Sequence, residues 1–426
     1  MRFFRWTAAA IAAAALAACG GGSDDDAPAR GAVLNSLVLG QATTAQIDAG
    51  TAASGAQALT GAARCDVTAR YVQYSTRAPG GEAVRASAGV LVPGGSAPGC
   101  TGERPVLLYA HGTAANKSKN MAQVSSDSEA TALLAFYAAQ GFIVVMPNYL
   151  GYDGSLDWHP FLNARSQATD MIDALRASKA ALASAGGTTA SAALLVSGYS
   201  EGGHVAMATH REIQENYASE FTVTASAPMS GPYNMVGTGD AVFVANTPLV
   251  GSLVFGPLLL TSYQRSYGNI YGAPSDAYQS PYDRTAPGIF PNVLPVADLM
   301  AAGQLPADPT LTLKLFGTGG LITDSFKAAY PTSNFRTALQ ENTLLGWTPT
   351  RPMAMCGGAQ VPAFDLENRA TLPAGATGDL LYGAFQQQKA AAGANATALY
   401  HGTLVPPFCL ALTRGFFGQV LAASAP

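Results

Sequence analysis

One stretch of the chain, residues 194–213, joins an apolar strand pattern to a helix pattern through a glycine-flanked serine. Its sequence is LLVSGYSEGGHVAMATHREI, and Ser200 is the central residue of the Gly-x-Ser-x-Gly pattern. Glycines on both sides of a serine allow a strained strand-to-helix turn that presents the hydroxyl as a nucleophile. Gly makes up 46 of the 426 residues, so the five-residue pattern alone is weak and the flanking strand and helix support the assignment. In this context the sequence predicts Ser200 as a nucleophile.

Strand and helix patterns alternate on both sides of this turn. Apolar runs typical of strands covered on both faces occupy 105–112, 142–151, 192–198 and 221–232. Helical spacing occupies 128–141, 163–187 and the segment after Ser200. An alternating β-branched and aromatic pattern at 66–76 and 83–93 predicts a β-hairpin. The alternation predicts an α/β fold, a mostly parallel sheet with helices on both faces.

The alternation stops at about residue 235 and returns at about 350. Residues 235–349 are rich in Pro, Gly, Tyr and Leu and carry only short helical patterns. We therefore expect one core, 41–234 with 350–426, and an inserted helical cap at 235–349. In the last part of the core, the patterns predict a helix at 378–393, a strand at 397–402 and a helix at 407–423.

The N-terminus has the pattern of an export signal. Arg2 and Arg5 precede an apolar run that is too short to span a bilayer and ends in LAACG. This ending predicts a lipoprotein signal over residues 1–19 with lipidation of Cys19; the alternative is an ordinary secretory signal. A polar segment follows, and residues 20–40 are predicted to be a flexible tether. We expect an exported protein, membrane-anchored in the periplasm, outer membrane or cell surface through this lipid, or else secreted.

Cysteine usage agrees with export. Four cysteines remain after Cys19, namely Cys65, Cys100, Cys356 and Cys409, and an even number is expected to pair in an oxidising compartment. Three pairings are possible. Cys65–Cys100 and Cys356–Cys409 are favoured because each joins segments that the predicted fold brings close together.

The order of residues in a hydrolase triad limits the catalytic base. The chain has five histidines, and the base is expected after both the nucleophile and the acid. His204 and His210 lie on the helix that follows Ser200, which leaves His401 as the predicted base. The oxyanion requires two backbone N–H donors, and those of Glu201 and Thr113 are predicted to supply them. His111 is expected to support the loop that contains Thr113.

Four stretches together resemble the secreted lipases of the α/β-hydrolase superfamily, including those of the Candida antarctica lipase A type and their bacterial relatives. They are YAHGT, PNYLGYDGSLDWHPFLNARSQATDMIDALRASKA, GYSEGGHVAMATHREI and APMSGPYNM, and the resemblance covers roughly 65–235 and 350–425. It implies the α/β-hydrolase fold, hydrolysis of triacylglycerols or other carboxylic esters, and a helical cap before the acid-bearing strand.

Two positions depart from the family pattern. Asn148 replaces the usual Asp, and Val361 stands where the triad acid is expected. Asp365 is the favoured replacement; Glu367 is the alternative, and the triad could also lack its acid. Such a loss typically lowers the rate by several orders of magnitude without abolishing catalysis.

The sequence therefore predicts a serine ester hydrolase, a lipase or carboxylesterase with a small-molecule or lipid ester substrate. A peptidase of the same fold and a non-catalytic surface lipoprotein are the alternatives. No metal or cofactor is expected. A charged fraction of 12% and a net charge of −4 argue against a nucleic-acid surface. The apolar segment 248–260 is interpreted as an acyl-binding wall or as cap packing, and the oligomeric state stays open.

Overall fold

The computed structural model describes residues 27–185, 187–357, 377–379 and 405–424. Two compact units can be distinguished. One consists of Met1–Leu108, Asn120–Asn148 and Thr169–Leu194, and the other of Tyr109–Lys119, Tyr149–Ala168 and Leu195–Pro426.

Seven strands form the main sheet. They are β1 (Val33–Ala42), β2 (Asp66–Arg77), β3 (Ala83–Gly94), β4 (Glu103–Ala110), β5 (Ile143–Pro147), β6 (Thr189–Tyr199) and β7 (Val223–Met229). Their order in the sheet is β1-β2-β3-β5-β4-β6-β7. The pairs β1–β2, β2–β3 and β3–β5 are antiparallel, whereas β4 and β5 are parallel. A small parallel pair is formed by β8 (Ala354–Met355) and β9 (Thr377–Asp379).

Helices connect the central strands and also occupy much of residues 235–349, the segment predicted to be a cap and called the cap below. In the first half of the chain they are α1 (Thr44–Ser54), α2 (Gln57–Thr60), α3 (Ser128–Phe136), α4 (Ala164–Ala185) and α5 (Glu201–Asn216). Residues 235–349 contribute α6 (Met235–Phe243), α7 (Ser252–Tyr267), α8 (Pro274–Ala277), α9 (Val296–Ala301), α10 (Asp324–Ala329) and α11 (Asn334–Glu341). The chain closes with α12 (Val405–Ala423). Among the helices of these described ranges, none combines the length and apolar character needed to cross a bilayer.

The predicted α/β class and the β-hairpin are confirmed. The hairpin is β2–β3, and α3, α4 and α5 are the helical connections between successive central strands. Two details differ from prediction. Residues 33–40, expected in the flexible tether, belong to β1, because this apolar stretch finds a hydrogen-bonding partner in β2. Residues 378–379, expected to start a helix, are paired with β8 as part of β9. The rest of that helix and the strand predicted at 397–402 lie outside the described residues.

Buried carboxylates anchor the first unit. The Tyr74 hydroxyl donates to Asp170 Oδ1 over 3.0 Å, and the Thr76 hydroxyl donates to Asp173 Oδ2 over 2.7 Å. Asp173 also accepts a hydrogen bond from Arg30 Nε at 3.0 Å. Because buried carboxylates require such partners, α4 holds the hairpin and the segment before β1 together. The predicted disulfide Cys65–Cys100 lies in the same unit.

Asn148, which replaces the family's Asp, uses both functions of its amide. Its Oδ1 accepts from the Met121 N–H at 2.6 Å, and its Nδ2 donates to Ser87 Oγ at 2.9 Å and to Asn120 Oδ1 at 3.1 Å. An ionised carboxylate could only accept. The neutral amide thus satisfies this buried position with hydrogen bonds and places no charge in the interior.

A buried apolar cluster within the second unit joins side chains of residues 235–349 to Phe161 and Leu162. Buried aromatic and aliphatic side chains from α6, α7, α10 and α11 form one cluster, which includes Leu253, Tyr263 and Phe335. The rings of Phe243 and Tyr330 stack at 4.6 Å within it. Tyr263 and Tyr278 of this segment are fully buried. Near the end of the cap, the Leu344 N–H donates to the carbonyl of Tyr233, a residue that follows β7 in the chain.

The last described segments adjoin β7. Bridges pair Ser226 with Met353 and Met229 with Cys356. The predicted disulfide Cys356–Cys409 then ties this point to α12. The bridge therefore fixes both ends of the segment 357–408.

Candidate active site

Ser200 occupies a strained turn between β6 and α5. Its backbone angles are φ 59° and ψ −120°, in a region that non-glycine residues rarely enter. The Ser200 N–H donates to the Met229 carbonyl at 2.9 Å, and the Ser200 carbonyl accepts from the Gly203 N–H at 2.8 Å. These bonds hold the strain in place, which is the expected geometry of a nucleophile at a strand-to-helix turn.

The glycines around Ser200 are required by close backbone packing. A Cβ atom at Gly198 would lie 2.5 Å from the Ala110 carbonyl oxygen, and one at Gly203 would lie 2.9 Å from the Gly231 nitrogen. Side chains do not fit at these distances. The glycines therefore serve the approach of α5 to the strands, as the sequence predicts.

A cavity of about 130 Å³ opens at Ser200. Ser200, Glu201 and Thr113 all line it, so three of the predicted site residues lie together. Most of its remaining wall is apolar and comes from the cap, including Val242, Leu249, Phe255, Leu259 and Phe335. This composition suits a hydrocarbon chain attached to a polar reacting centre.

The segment 248–260 contributes both to the cavity wall and to the buried apolar cluster. Phe255 and Leu259 line the cavity, Leu253 and Leu258 lie in the cluster, and Leu249 belongs to both. Phe255 and Leu259 share one face of α7 because they are four residues apart.

Four histidines lie in the described part of the chain, and none of them lines the cavity at Ser200. His111 Nδ1 makes a 2.7 Å hydrogen bond to the Gly112 carbonyl, in the loop that it was predicted to support. His204 Nε2 contacts the Asn342 carbonyl at 2.9 Å, and His210 Nδ1 contacts Ser226 Oγ at 2.8 Å. Burial lowers the pKa of both His204 and His210 to about 4, so both are neutral at pH 7.

The fourth histidine, His159, pairs with the residue that follows the nucleophile. His159 Nε2 and Glu201 Oε1 are 2.6 Å apart, and both side chains are fully buried. The Gln167 amide donates to the same oxygen at 2.7 Å. Burial alone would raise the pKa of the Glu201 carboxyl, but the charge and hydrogen bond of His159 and the Gln167 amide hold that pKa below its usual value.

This pair could not be expected from the sequence pattern. His159 precedes Ser200 by 41 positions in an irregular stretch, and Glu201 is recognisable only as the variable residue of the Gly-x-Ser-x-Gly pattern. Both ring nitrogens of His159 are engaged, since Nδ1 contacts the Leu150 carbonyl at 2.7 Å. His159 therefore has no nitrogen available to take a proton from Ser200.

The predicted base His401 and the predicted acid Asp365, with its alternative Glu367, lie outside the described residues. All three lie between Cys356 and Cys409 in the sequence. Within the described ranges, no group of three or more His, Cys, Asp or Glu side chains is arranged to hold a metal ion.

A family model for secretory lipases matches residues 116–261, which include the Ser200 turn and the first part of the segment 235–349. The rice cell wall degrading esterase LipA from Xanthomonas oryzae is 29% identical over 93% of this chain and 100% of its own, with a TM-score of 0.79. None of the curated proteins matches the chain in sequence.

Two more distant structures share the fold. A protein from Legionella pneumophila is 20% identical over 92% of this chain and 99% of its own, with a TM-score of 0.71. Lipase A from Candida antarctica is 15% identical over 82% of this chain and 76% of its own, with a TM-score of 0.52. The similarity to the esterase confirms the α/β-hydrolase fold, and the family match agrees with the resemblance found in the sequence.

Proposed function

We propose that the chain, a carboxylic ester hydrolase of the α/β-hydrolase fold that resembles the secretory lipases, acts through an acyl-enzyme on Ser200. The observation that carries the proposal is the strained Ser200 turn at the mouth of an apolar cavity also lined by Thr113 and Glu201. A poised hydroxyl beside an apolar pocket is what attack on an acyl carbonyl requires.

In the proposed reaction, Ser200 Oγ attacks the ester carbonyl while His401 accepts the hydroxyl proton. The resulting oxyanion accepts hydrogen bonds from the backbone N–H groups of Glu201 and Thr113. His401 then gives its proton to the departing alcohol, which leaves the acyl group on Ser200. A water molecule, deprotonated by His401, attacks the acyl-enzyme. His401 then returns this proton to Ser200 Oγ as the carboxylic acid leaves.

His401 is proposed as the base because the other four histidines are engaged elsewhere or lie away from the cavity. Asp365 is proposed to orient it, with Glu367 as the alternative. Asp365→Asn and Glu367→Gln distinguish the two carboxylates: loss of the orienting acid lowers kcat by about 10⁴-fold, whereas loss of the other leaves kcat within a factor of about two. If neither exchange lowers kcat, the triad has no acid in this loop.

The cavity limits the substrate. An apolar cavity of about 150 Å³ accommodates benzene, a molecule of six carbons. The cavity at Ser200, with its volume of about 130 Å³, is therefore proposed to take an acyl chain of about four to six carbons. Short-chain esters are the expected substrates in preference to long-chain triacylglycerols.

We further propose that the protein is exported and held at a membrane by a lipid on Cys19. The LAACG sequence and the two disulfides support this location, since disulfides persist in oxidising compartments. Cys19→Ser tests the anchor by fractionation of bacteria that produce the full chain. An anchored protein moves from the membrane fraction to the soluble fraction or stays as an unprocessed precursor, whereas an unchanged distribution and size contradict the lipid anchor.

Labelling with a fluorophosphonate tests the nucleophile. The wild-type protein is expected to label at Ser200, and Ser200→Ala is expected to lose both labelling and nearly all ester turnover, by about 10⁶-fold. Absence of labelling in folded wild-type protein would favour a non-catalytic surface lipoprotein. Faster turnover of aminoacyl p-nitroanilides than of p-nitrophenyl esters would instead identify a peptidase.

A further inference from the structure

His159 lies at the centre of a buried network that the proposed reaction does not use directly. Its side chain is fully buried and pairs with Glu201 on one side. On its other sides lie the rings of Tyr149 and Tyr152, with centroids 5.7 Å and 4.9 Å from the imidazole. The imidazole is thus held between α5 and the loop that follows β5.

The contact between His159 and Glu201 fixes the residue whose backbone N–H is the first proposed oxyanion donor. The Glu201 carboxylate accepts from His159 at 2.6 Å and from Gln167 at 2.7 Å, so its side chain is fixed from two directions. The backbone N–H of this same residue is the donor proposed beside Ser200. Fixing the side chain restricts the rotation of the peptide group that carries this N–H.

Tyr149 and Tyr152 fix the loop that contains the second proposed donor, the N–H of Thr113. The Tyr149 hydroxyl donates to the His111 carbonyl at 2.9 Å, and the Tyr152 hydroxyl donates to the Ala114 carbonyl at 2.5 Å. These two carbonyls stand on either side of Thr113 in the chain. The loop that presents the Thr113 N–H is therefore held by two hydroxyls whose rings contact His159.

Both nitrogens of His159 are hydrogen-bonded, which fixes the orientation of the ring. A backbone carbonyl can only accept, so His159 Nδ1 donates to the Leu150 carbonyl at 2.7 Å, while Nε2 faces Glu201 Oε1 at 2.6 Å. The imidazole therefore cannot rotate without breaking one of these two contacts.

We propose that His159 is a positioning residue that holds both N–H donors of the oxyanion hole. This inference rests on the proposed acyl-enzyme reaction at Ser200. It adds the buried contact between His159 and Glu201 and two tyrosine hydroxyls as the contacts that set the geometry of the hole. His159 acts through Glu201, Tyr149 and Tyr152 and does not touch the substrate.

His159→Gln tests the proposal, since glutamine keeps a donor for Glu201 but removes the imidazole ring and its contacts with Tyr149 and Tyr152. With a p-nitrophenyl butyrate substrate, kcat is expected to fall about 10- to 100-fold, while KM stays within about threefold. The affinity for an alkyl trifluoromethyl ketone, whose adduct with Ser200 places an oxyanion in the hole, is expected to fall by the same factor as kcat/KM. A purely structural role would reduce the fraction of active protein without changing either ratio per labelled active site.

His210→Gln is the matched control, because His210 is also a buried histidine but contacts Ser226 instead of the site. It is expected to leave kcat and ketone affinity per labelled site unchanged at pH 7. If His159→Gln does not fold, Tyr152→Phe removes only the bond to Ala114 and is expected to lower both quantities about fivefold.

Unchanged kcat and unchanged ketone affinity in the folded variants would overturn the role of His159. That result differs from failure of the proposed reaction itself. In the latter case, wild-type Ser200 would not label with a fluorophosphonate, and Ser200→Ala would hydrolyse esters at the wild-type rate.

Discussion

The backbone of Gly202 packs directly against Ala110, so that a Cβ atom at position 202 would overlap the Ala110 carbonyl oxygen and lie 2.6 Å from the carbonyl carbon. Gly202→Ala is therefore expected to lower the free energy of unfolding by about 3 kcal/mol. Ester turnover should fall as well, because the displaced backbone is that of the Ser200 turn. Denaturant unfolding and kinetics on labelled sites measure the two effects.

Gly415→Ala provides the control for this exchange. Gly415 is exposed in α12, and a Cβ atom there would have no neighbour within 4 Å. Alanine is expected to stabilise that helix by up to about 1 kcal/mol. Equal stability of Gly202→Ala and wild type would contradict the packing argument.

A larger side chain at position 256 is expected to reduce the volume of the cavity at Ser200. Gly256 lines the cavity from α7, and a Cβ atom there would meet only Leu315 Cδ1, at 3.8 Å. In Gly256→Leu, the new side chain is expected to occupy the cavity and lower kcat/KM for p-nitrophenyl hexanoate about 10-fold or more relative to the acetate. Rates across a series of chain lengths check this prediction, with Gly415→Leu as the control. An unchanged chain-length profile would show that acyl chains bind elsewhere.

The two disulfides are expected to differ in their effect on catalysis. Cys356 and Cys409 are separated by 53 positions, and the cross-link is expected to contribute about 4 kcal/mol to stability. The segment between them contains the proposed acid and base, so the double exchange to Ala is also expected to lower kcat per labelled site. Residual kcat and thermal unfolding are the measurements.

Cys65–Cys100, with a separation of 35, is the matched comparison. Its double exchange to Ala is expected to lower stability by a similar amount, about 4 kcal/mol, but to leave kcat per site unchanged. Equal losses of kcat in the two variants would refute a special relation between Cys356–Cys409 and catalysis.

Buried neutral histidines are expected to make the protein sensitive to acid. Burial lowers the pKa of His204 and His210 from 6.5 to about 4 in the folded state. Between these values the unfolded chain binds protons that the folded chain excludes, so stability falls as pH decreases from about 6.5 to about 4. Each histidine accounts for up to about 3 kcal/mol of this loss. Above pH 7 neither contributes a slope.

Urea unfolding of wild type and His210→Gln at pH 7 and pH 5 measures how much His210 contributes to the loss of stability on acidification. The variant is expected to lose less stability than wild type on acidification, by about 2 kcal/mol over this interval. The same loss in both proteins would mean that His210 is protonated equally in the folded and unfolded states.

The parts of the fold that can be predicted from the sequence are those that local patterns specify. The apolar runs of β4–β7, the spacing of α4 and α5, and the glycines around Ser200 each follow from neighbours in the sequence. The disulfide pairing also followed, because the predicted fold placed the partners close together. By contrast, β1 has only a partial alternation, and its pairing with β2 depends on a partner about 30 residues away.

The polar contacts inside the candidate site were less predictable, because they too depend on partners that are distant in the sequence. His159 meets Glu201 because the loop after β5 folds back onto α5, which no local pattern encodes. Asn148 stands out only as a departure from a family pattern until its three hydrogen bonds explain it. Long-range polar contacts are chosen by tertiary geometry, so sequence periodicity carries little information about them.

The wall of the cavity and the core of the cap are built from the same side chains. Val242, Leu249 and Phe335 belong to both. A mutation that changes the shape of this wall to fit a new acyl group therefore also creates a void or a steric overlap in the cap. Substrate range and stability would then change together during evolution. Gly256 and Thr238 line the cavity but lie outside the buried cluster. Divergence among relatives with different ester preferences should concentrate at such positions, where a change of substrate leaves the cap intact.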